Sequence, residues 1–267
     1  MAAALPPTVP VPVVRVANGR LRVGGFTQAG DAVTLTQCDG TTCGATALLA
    51  ARLLLTEPGT AAALPGQASS ARVGRMLQDS LAAAQRGLQR AMNRHARGPL
   101  GPLPWTRRLG STPWAVSAEL TRLLRQLGCG VGACTVNWVD DHAGDWPAVV
   151  GELRARLEDG VPAVLLTGGP LVIPRNDVGR AWRALSRVAA AAPAIPRHYV
   201  LALPWRGAGL KDPGPGHAHI YDPSSGAVRA LDLLAARVKS GPGPRELGYW
   251  PRVLAVIAPP LTAGSTR

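Results

Sequence analysis

The sequence predicts an α+β fold, with helices gathered toward the front of the chain and an antiparallel sheet toward the back. Three observations carry this. Residues 45–55 form a largely apolar run of helical length, opened by Cys43. Val73, Met76, Leu77, Leu81, Leu88 and Met92 recur at helical spacing. Residues 161–167, 198–205, 218–222 and 253–257 are short apolar runs bounded by Gly, Pro or Asp, as strands are.

In chain order, residues 9–36 alternate apolar and polar side chains, with Asn18-Gly19 and Gly24-Gly25 as turn signals, which predicts short strands or an extended N-terminal arm over 1–30. The apolar run after Cys43 is a buried helix. Ser69 or Ser70 can cap the next helix, which runs to about Ala96 and is interrupted by Gly87. Arg86, Arg90, Arg94 and Arg97 line its other face with few acids to offset them. A Pro/Gly-rich loop follows. Ser111-Thr112-Pro113 places a cap before a proline at the first helical position, so a helix spans 114–127 and stops at Gly128. Residues 129–139 end as a strand. Asp145 caps a helix over 146–158, closed by Gly160. A brief helix is expected over 231–238. The organisation is that of a single domain, 1–267, carrying a helical, Arg-rich insertion around 58–110.

Composition narrows the function classes. No apolar stretch approaches the ~20 residues of a membrane span. Met1-Ala2-Ala3-Ala4-Leu5-Pro6-Pro7 has neither a basic region nor a long apolar core, so a cytoplasmic protein is expected. Four cysteines in 267 residues make no disulfide framework. The formal charge of +13 raises an acidic protein or anionic surface as partner, with Arg86, Arg90, Arg94 and Arg97 as the contact. Nucleic acid is disfavoured: Lys211 and Lys239 are the two lysines, as in a GC-rich coding sequence, and four residues are Phe or Tyr, too few for base stacking.

The chemistry centres on Thr36-Gln37-Cys38-Asp39-Gly40-Thr41-Thr42-Cys43-Gly44. A thiolate in a first helical turn is stabilised by unpaired amides and the helix dipole. Gln37, one short loop upstream, can aim its amide at the same point and form an oxyanion hole with the Cys43 N–H. His198-Tyr199-Val200-Leu201-Ala202-Leu203 and His219-Ile220-Tyr221-Asp222-Pro223 read as two strands joined by a Gly/Pro loop. As an antiparallel pair they bring His198 beside Asp222, a base and its orienting acid. No metal or organic cofactor is needed. Cys38-x4-Cys43 with Cys129-x4-Cys134 is a competing four-thiolate zinc arrangement, though core filling suits Cys129 and Cys134 better. An oxidised Cys38–Cys43 pair is another alternative. His217 and His219 read as surface residues, and Gly168-Gly169-Pro170 lacks the lysine of a phosphate loop.

These segments resemble the papain-like cysteine peptidases, and within them the bacteriocin-processing type that cleaves double-glycine leaders. The resemblance rests on Gln-x5-Cys-Gly at a helix start, His-Tyr-Val opening an apolar strand, and a strand ending Tyr-Asp-Pro-Ser-Ser-Gly. It covers residues 33–55 and 145–258, and the stretch 58–108 has no counterpart. It implies a papain-like fold with the thiol on the helical side and the imidazole on the sheet. Cys43 is then the nucleophile, His198 the general base, Asp222 its orienting acid and Gln37 the oxyanion donor. Members usually carry Asp immediately before the nucleophile; this chain has Thr42 there, with Asp39 three positions earlier. The expected activity is a cysteine-dependent hydrolase, a peptidase or amidase. The alternative is a non-catalytic module that binds through its Arg-rich insertion.

Overall fold

Strand-forming runs and two-residue turns set the frame, as seen in a computed structural model that describes residues 13–26, 31–56, 70–94, 110–170, 194–206, 208–239 and 241–260. Strands β1 (Val13–Ala17) and β2 (Arg20–Gly24) form a hairpin closed by Asn18-Gly19, both at positive φ (52° and 66°), the conformation such a tight turn requires. β3 (Ala32–Thr34) pairs with β2. Helices α1 (Cys43–Leu55) and α2 (Ser70–Arg94) follow, then α3 (Pro113–Gln126), β4 (Thr135–Trp138), α4 (Trp146–Glu158), β5 (Ala163–Gly169), β6 (Ile195–Leu203), β7 (His217–Asp222), β8 (Ala227–Asp232), a 3-10 turn (Arg245–Leu247) and β9 (Arg252–Ala258).

Among the described residues the strands make one nine-stranded antiparallel sheet, in the order β1-β2-β8-β7-β6-β5-β9-β4, with β3 beside β2. The fold is therefore α+β. Strand alternation splits the core in two. Val164, Leu166, Tyr199, Leu201 and Leu203 pack with Leu48, Val116, Leu120 and Leu124 of α1 and α3. Ala163, Leu165, Val200, Ala202 and Ile220 pack with Trp146, Val150, Leu153 and Leu157 of α4. Thr112 caps α3 by accepting from the Ala115 N–H (3.2 Å), with Pro113 at the first position as its sequence predicts. Asp145 precedes α4 as expected but makes no side-chain cap hydrogen bond.

Several expectations change. Residues 13–24 take the strand alternative rather than the arm: β2 meets β8 through Arg20↔Ala227 and enters the sheet. The expected helix at 231–238 does not form. Asp232 ends β8 and its Oδ1 accepts from the Leu234 and Ala235 N–H groups (2.9 and 3.1 Å), a local turn that competes with a helical start. Arg237 is then drawn to buried Asp141 (2.9 Å), which also accepts from Arg252 Nε and the Val253 N–H. Arg86, Arg90 and Arg94 are exposed on α2, whereas Arg97 lies outside the described residues. No helix among the described residues is long and apolar enough to cross a membrane.

α2 is more than an appendage, because polar residues interrupt its apolar stripe where the site is built. Gln85 is buried beside Leu81 and Leu88; its Oε1 accepts from the Cys38 N–H (2.8 Å) and its Nε2 donates to the Thr36 carbonyl (2.9 Å). The same loop is fixed from the sheet, where Tyr221 Oη donates to the Leu35 carbonyl (2.9 Å) and the Gln37 N–H donates to the Pro223 carbonyl (2.8 Å). Four consecutive residues thus have a backbone group held by distant parts of the chain. Gln89, also buried, accepts from Ser111 Oγ (3.0 Å). Replacing Gln85 with Ala leaves two backbone groups without their partner, and denaturant unfolding of Gln85→Ala is expected to show a loss of about 2 kcal/mol.

Candidate active site

The Cys43 position is made by packing. Gly44 follows Cys43 because Tyr199 of β6 and Val116 of α3 press against that point: a Cβ there would lie 3.2 Å from Tyr199 Cδ2 and 3.3 Å from Val116 Cγ2. The Tyr199 hydroxyl donates to the Ser111 carbonyl (2.8 Å), which ties β6 to the start of α3. Cys43 is buried, and as the first residue of α1 its N–H has no acceptor within the helix. Where the resembling family carries Asp, Thr42 is buried and its Oγ1 donates to the Asp39 carbonyl (3.1 Å). Asp39 instead shapes the loop, its Oδ1 accepting from the Thr41 N–H and Oγ1, both at 2.8 Å. Partial burial works against the charge of Asp39, but these donors outweigh it and lower its pKa.

His198 lies within β6, three residues past its start at Ile195. The register Leu201↔Tyr221, Ala202↔Ile220, Leu203↔His219, extended by one pair, puts Asp222 opposite Val200, two residues from His198 on the same side of the sheet. Diagonal neighbours of that kind are within reach of long side chains. The result is a hydrogen bond of 2.8 Å between His198 Nε2 and Asp222 Oδ1, with 7% of the histidine and 3% of the aspartate exposed. The Cys43 thiol lies close enough to His198 to help raise the imidazole. With Nε2 committed to Asp222, Nδ1 is the ring nitrogen left for the sulfur. Cys43, His198 and Asp222, far apart in sequence, therefore meet.

Electrostatics follow from this contact. Burial alone would push the imidazole toward its neutral form, but hydrogen bonds to Asp222 and Cys43 and the negative charges on both outweigh it, raising His198 from 6.5 to about 9. For Asp222, burial opposes ionisation, and the donors His198, Ser224 and Ser225 overcome it, lowering the carboxyl from 3.8 to about 2. The Tyr199 phenol is pushed well up by burial and then by the nearby Cys43 charge, so it stays protonated.

Gln37 belongs to the laced loop between Leu35 and Cys38. Its Oε1 is buried and makes no hydrogen bond among the described residues. The remaining cysteines do not gather: Cys38 is exposed, Cys129 half-buried and Cys134 buried, all are free thiols, and no group of three metal-ligating side chains occurs among the described residues. Cys129 and Cys134 pack with the core beneath α3, the filling role preferred over the zinc arrangement. His217 and His219 are half-buried rather than fully on the surface, with ring nitrogens bonded to the Pro215 and Lys211 carbonyls (2.7 and 2.8 Å).

Sequence reasoning missed three supporting groups. Gln85 and Gln89 were detectable as amides inside an apolar helical stripe. Ser224 and Ser225 looked like turn residues and also bond the Asp222 carboxylate. Gly248, at φ +67°, lies against the imidazole: a Cβ there would be 2.5 Å from His198 Cδ2 and 3.0 Å from Nε2. Thr167, buried on β5, fixes this covering turn by placing Oγ1 3.2 Å from both the Leu247 and the His198 carbonyls.

No protein family, curated protein or solved structure that was compared with the chain matches it.

Gly248 brings backbone onto the ring edge beside the His198–Asp222 bond, so a methyl group there must displace the imidazole or the turn. Gly248→Ala is expected to slow selective alkylation of Cys43 about tenfold or more, while far-ultraviolet circular dichroism stays unchanged.

Proposed function

We propose that the chain is a cysteine-dependent hydrolase of papain-like fold, a peptidase or amidase with Cys43 as nucleophile. The observation that carries the reading is the His198 imidazole bonded to the Asp222 carboxylate with the Cys43 thiol beside it, its proton held up to about 9. A thiol without a paired base would be only a small core residue. The family resemblance adds the same four residues in the same roles, and a cytoplasmic location agrees with free thiols.

In this mechanism the imidazolium of His198 holds Cys43 as a thiolate. The sulfur attacks a carbonyl carbon, the C–S bond forms, and negative charge moves to the carbonyl oxygen. The Cys43 N–H and the Gln37 side-chain amide donate to that oxygen, each worth about 3 kcal/mol in the transition state. His198 passes its proton to the departing amine as the C–N bond breaks, leaving an acyl-enzyme. Neutral His198 then takes a proton from water, whose oxygen attacks the thioester, and C–S cleavage releases the acid and restores the ion pair. Asp222 keeps Nε2 protonated throughout, so that Nδ1 does the proton transfer. The exposed Arg86, Arg90 and Arg94 of α2 form the face on which an acidic protein or anionic surface would dock.

The sign of the pH effect is set by the raised imidazole. Its charged form is present below about 9 and lost above it, so the leaving group goes unprotonated at high pH. Turnover of a fluorogenic peptide or amide is expected to fall about tenfold per pH unit above that point. Iodoacetamide at pH 6 should modify Cys43 far faster than Cys129 and Cys134, whose thiols burial pushes up. Cys43→Ala and His198→Ala should each abolish the selective reaction. Equal labelling of all four cysteines, unchanged by His198→Ala, would contradict the hydrolase and favour a binding module.

A further inference from the structure

The Asp222 carboxylate is held more firmly than its turn requires. Oδ1 accepts from His198 Nε2 (2.8 Å) and from the Ser224 N–H (2.9 Å), the backbone bond that an Asp-initiated turn makes on its own. Oδ2 accepts from Ser224 Oγ (2.6 Å) and Ser225 Oγ (2.7 Å). The turn is already closed by Gly226 N–H to the Asp222 carbonyl (2.8 Å), and Ser225 Oγ also accepts from the Ala227 N–H (3.3 Å), so its shape does not require the hydroxyl bonds to Oδ2. Both serines are exposed, yet their hydroxyls point inward to a buried oxygen.

We propose that Ser224 and Ser225 are positioning residues of the triad: their hydroxyls hold Oδ2 of Asp222, keep Oδ1 on His198 and keep the carboxylate charged in acid. This deepens the hydrolase reading and rests on it for its catalytic consequence. A carboxylate free to turn about its last bond would offer His198 either oxygen or neither, and one that protonates can no longer hold the imidazolium. The two hydroxyls oppose both events at once. The other charged or titratable groups around the pair are Cys43 on α1, Tyr199 on β6, Tyr221 on β7, and Arg245 and Glu246 on the turn that leads to Gly248. Arg20 of β2 donates to the Ser225 carbonyl (2.9 Å) and so steadies the serines from outside. None of these contributes a donor to Oδ2 among the described residues, which leaves the serines as its partners.

The test uses Ser224→Ala, Ser225→Ala, the double variant and Ser225→Thr in the full chain, with two readouts. Carbon-13 NMR of the Asp222 carboxyl is expected to show its titration rising from about 2 by roughly one unit in the double variant, less in each single one, with Ser225→Thr staying close to wild type. The rate of Cys43 alkylation at pH 2.5, divided by the rate at pH 7, is expected to fall about threefold below the wild-type ratio, again restored by threonine. A serine that served only the turn would alter stability and leave both readouts in place. An unmoved carboxyl titration in the double variant, or in the single variants should the double one not fold, overturns the proposal. The carboxyl titration is read whether or not Cys43 reacts, so an unreactive wild-type Cys43 would sink the hydrolase alone.

Discussion

The site depends on one imidazole held between a carboxylate and a thiol inside the protein. A buried histidine on its own sheds its proton, since a low-dielectric interior disfavours charge. His198 keeps its proton to about 9 because Asp222 and Cys43 flank it and together outweigh desolvation. The arrangement is a chain of contacts: the thiol lies beside the imidazole, the imidazole is bonded to the carboxylate, and the carboxylate to its serine donors.

The rest of the fold can be understood as what brings those groups together from distant points in the chain. β6 and β7 supply the register that sets His198 and Asp222 diagonally on one side of the sheet. α1 brings Cys43 by packing Gly44 against Tyr199. The loop with Gln37 has little regular structure of its own, so its backbone is held by Tyr221 and Pro223 on one side and by Gln85 on the other. Gly226 lets the Asp222 turn approach this loop closely, since a Cβ there would lie 2.7 Å from the Leu35 carbonyl. The Gln37 loop and the Asp222 turn are thus one packed unit, and α2 stabilises it through Gln85.

Local signals made much of this legible in the sequence. Thr112-Pro113 marked the start of α3, the apolar run after Cys43 gave α1, and short apolar runs bounded by Gly or Pro gave β5, β6, β7 and β9. Spacing and residue type also pointed to Cys43, His198 and Asp222. What escaped was non-local. Residues 231–238 have helix-forming composition, but Asp232 turns the chain and Asp141, almost a hundred residues away, takes Arg237. The role of Gln85 depends on a loop 47 residues upstream, and that of Gly248 on a ring that only tertiary packing brings near. Ser224 and Ser225 fitted a turn so well that their second role was hidden.

The most direct measurement is the titration of the His198 imidazole by NMR, with the resonance assigned by its loss in His198→Gln. The account predicts that the ring stays protonated through neutral pH and titrates at about 9, and that Asp222→Ala brings the midpoint down toward or below 6.5. A wild-type ring that titrates near 6.5 or lower, unchanged in Asp222→Ala, would contradict it.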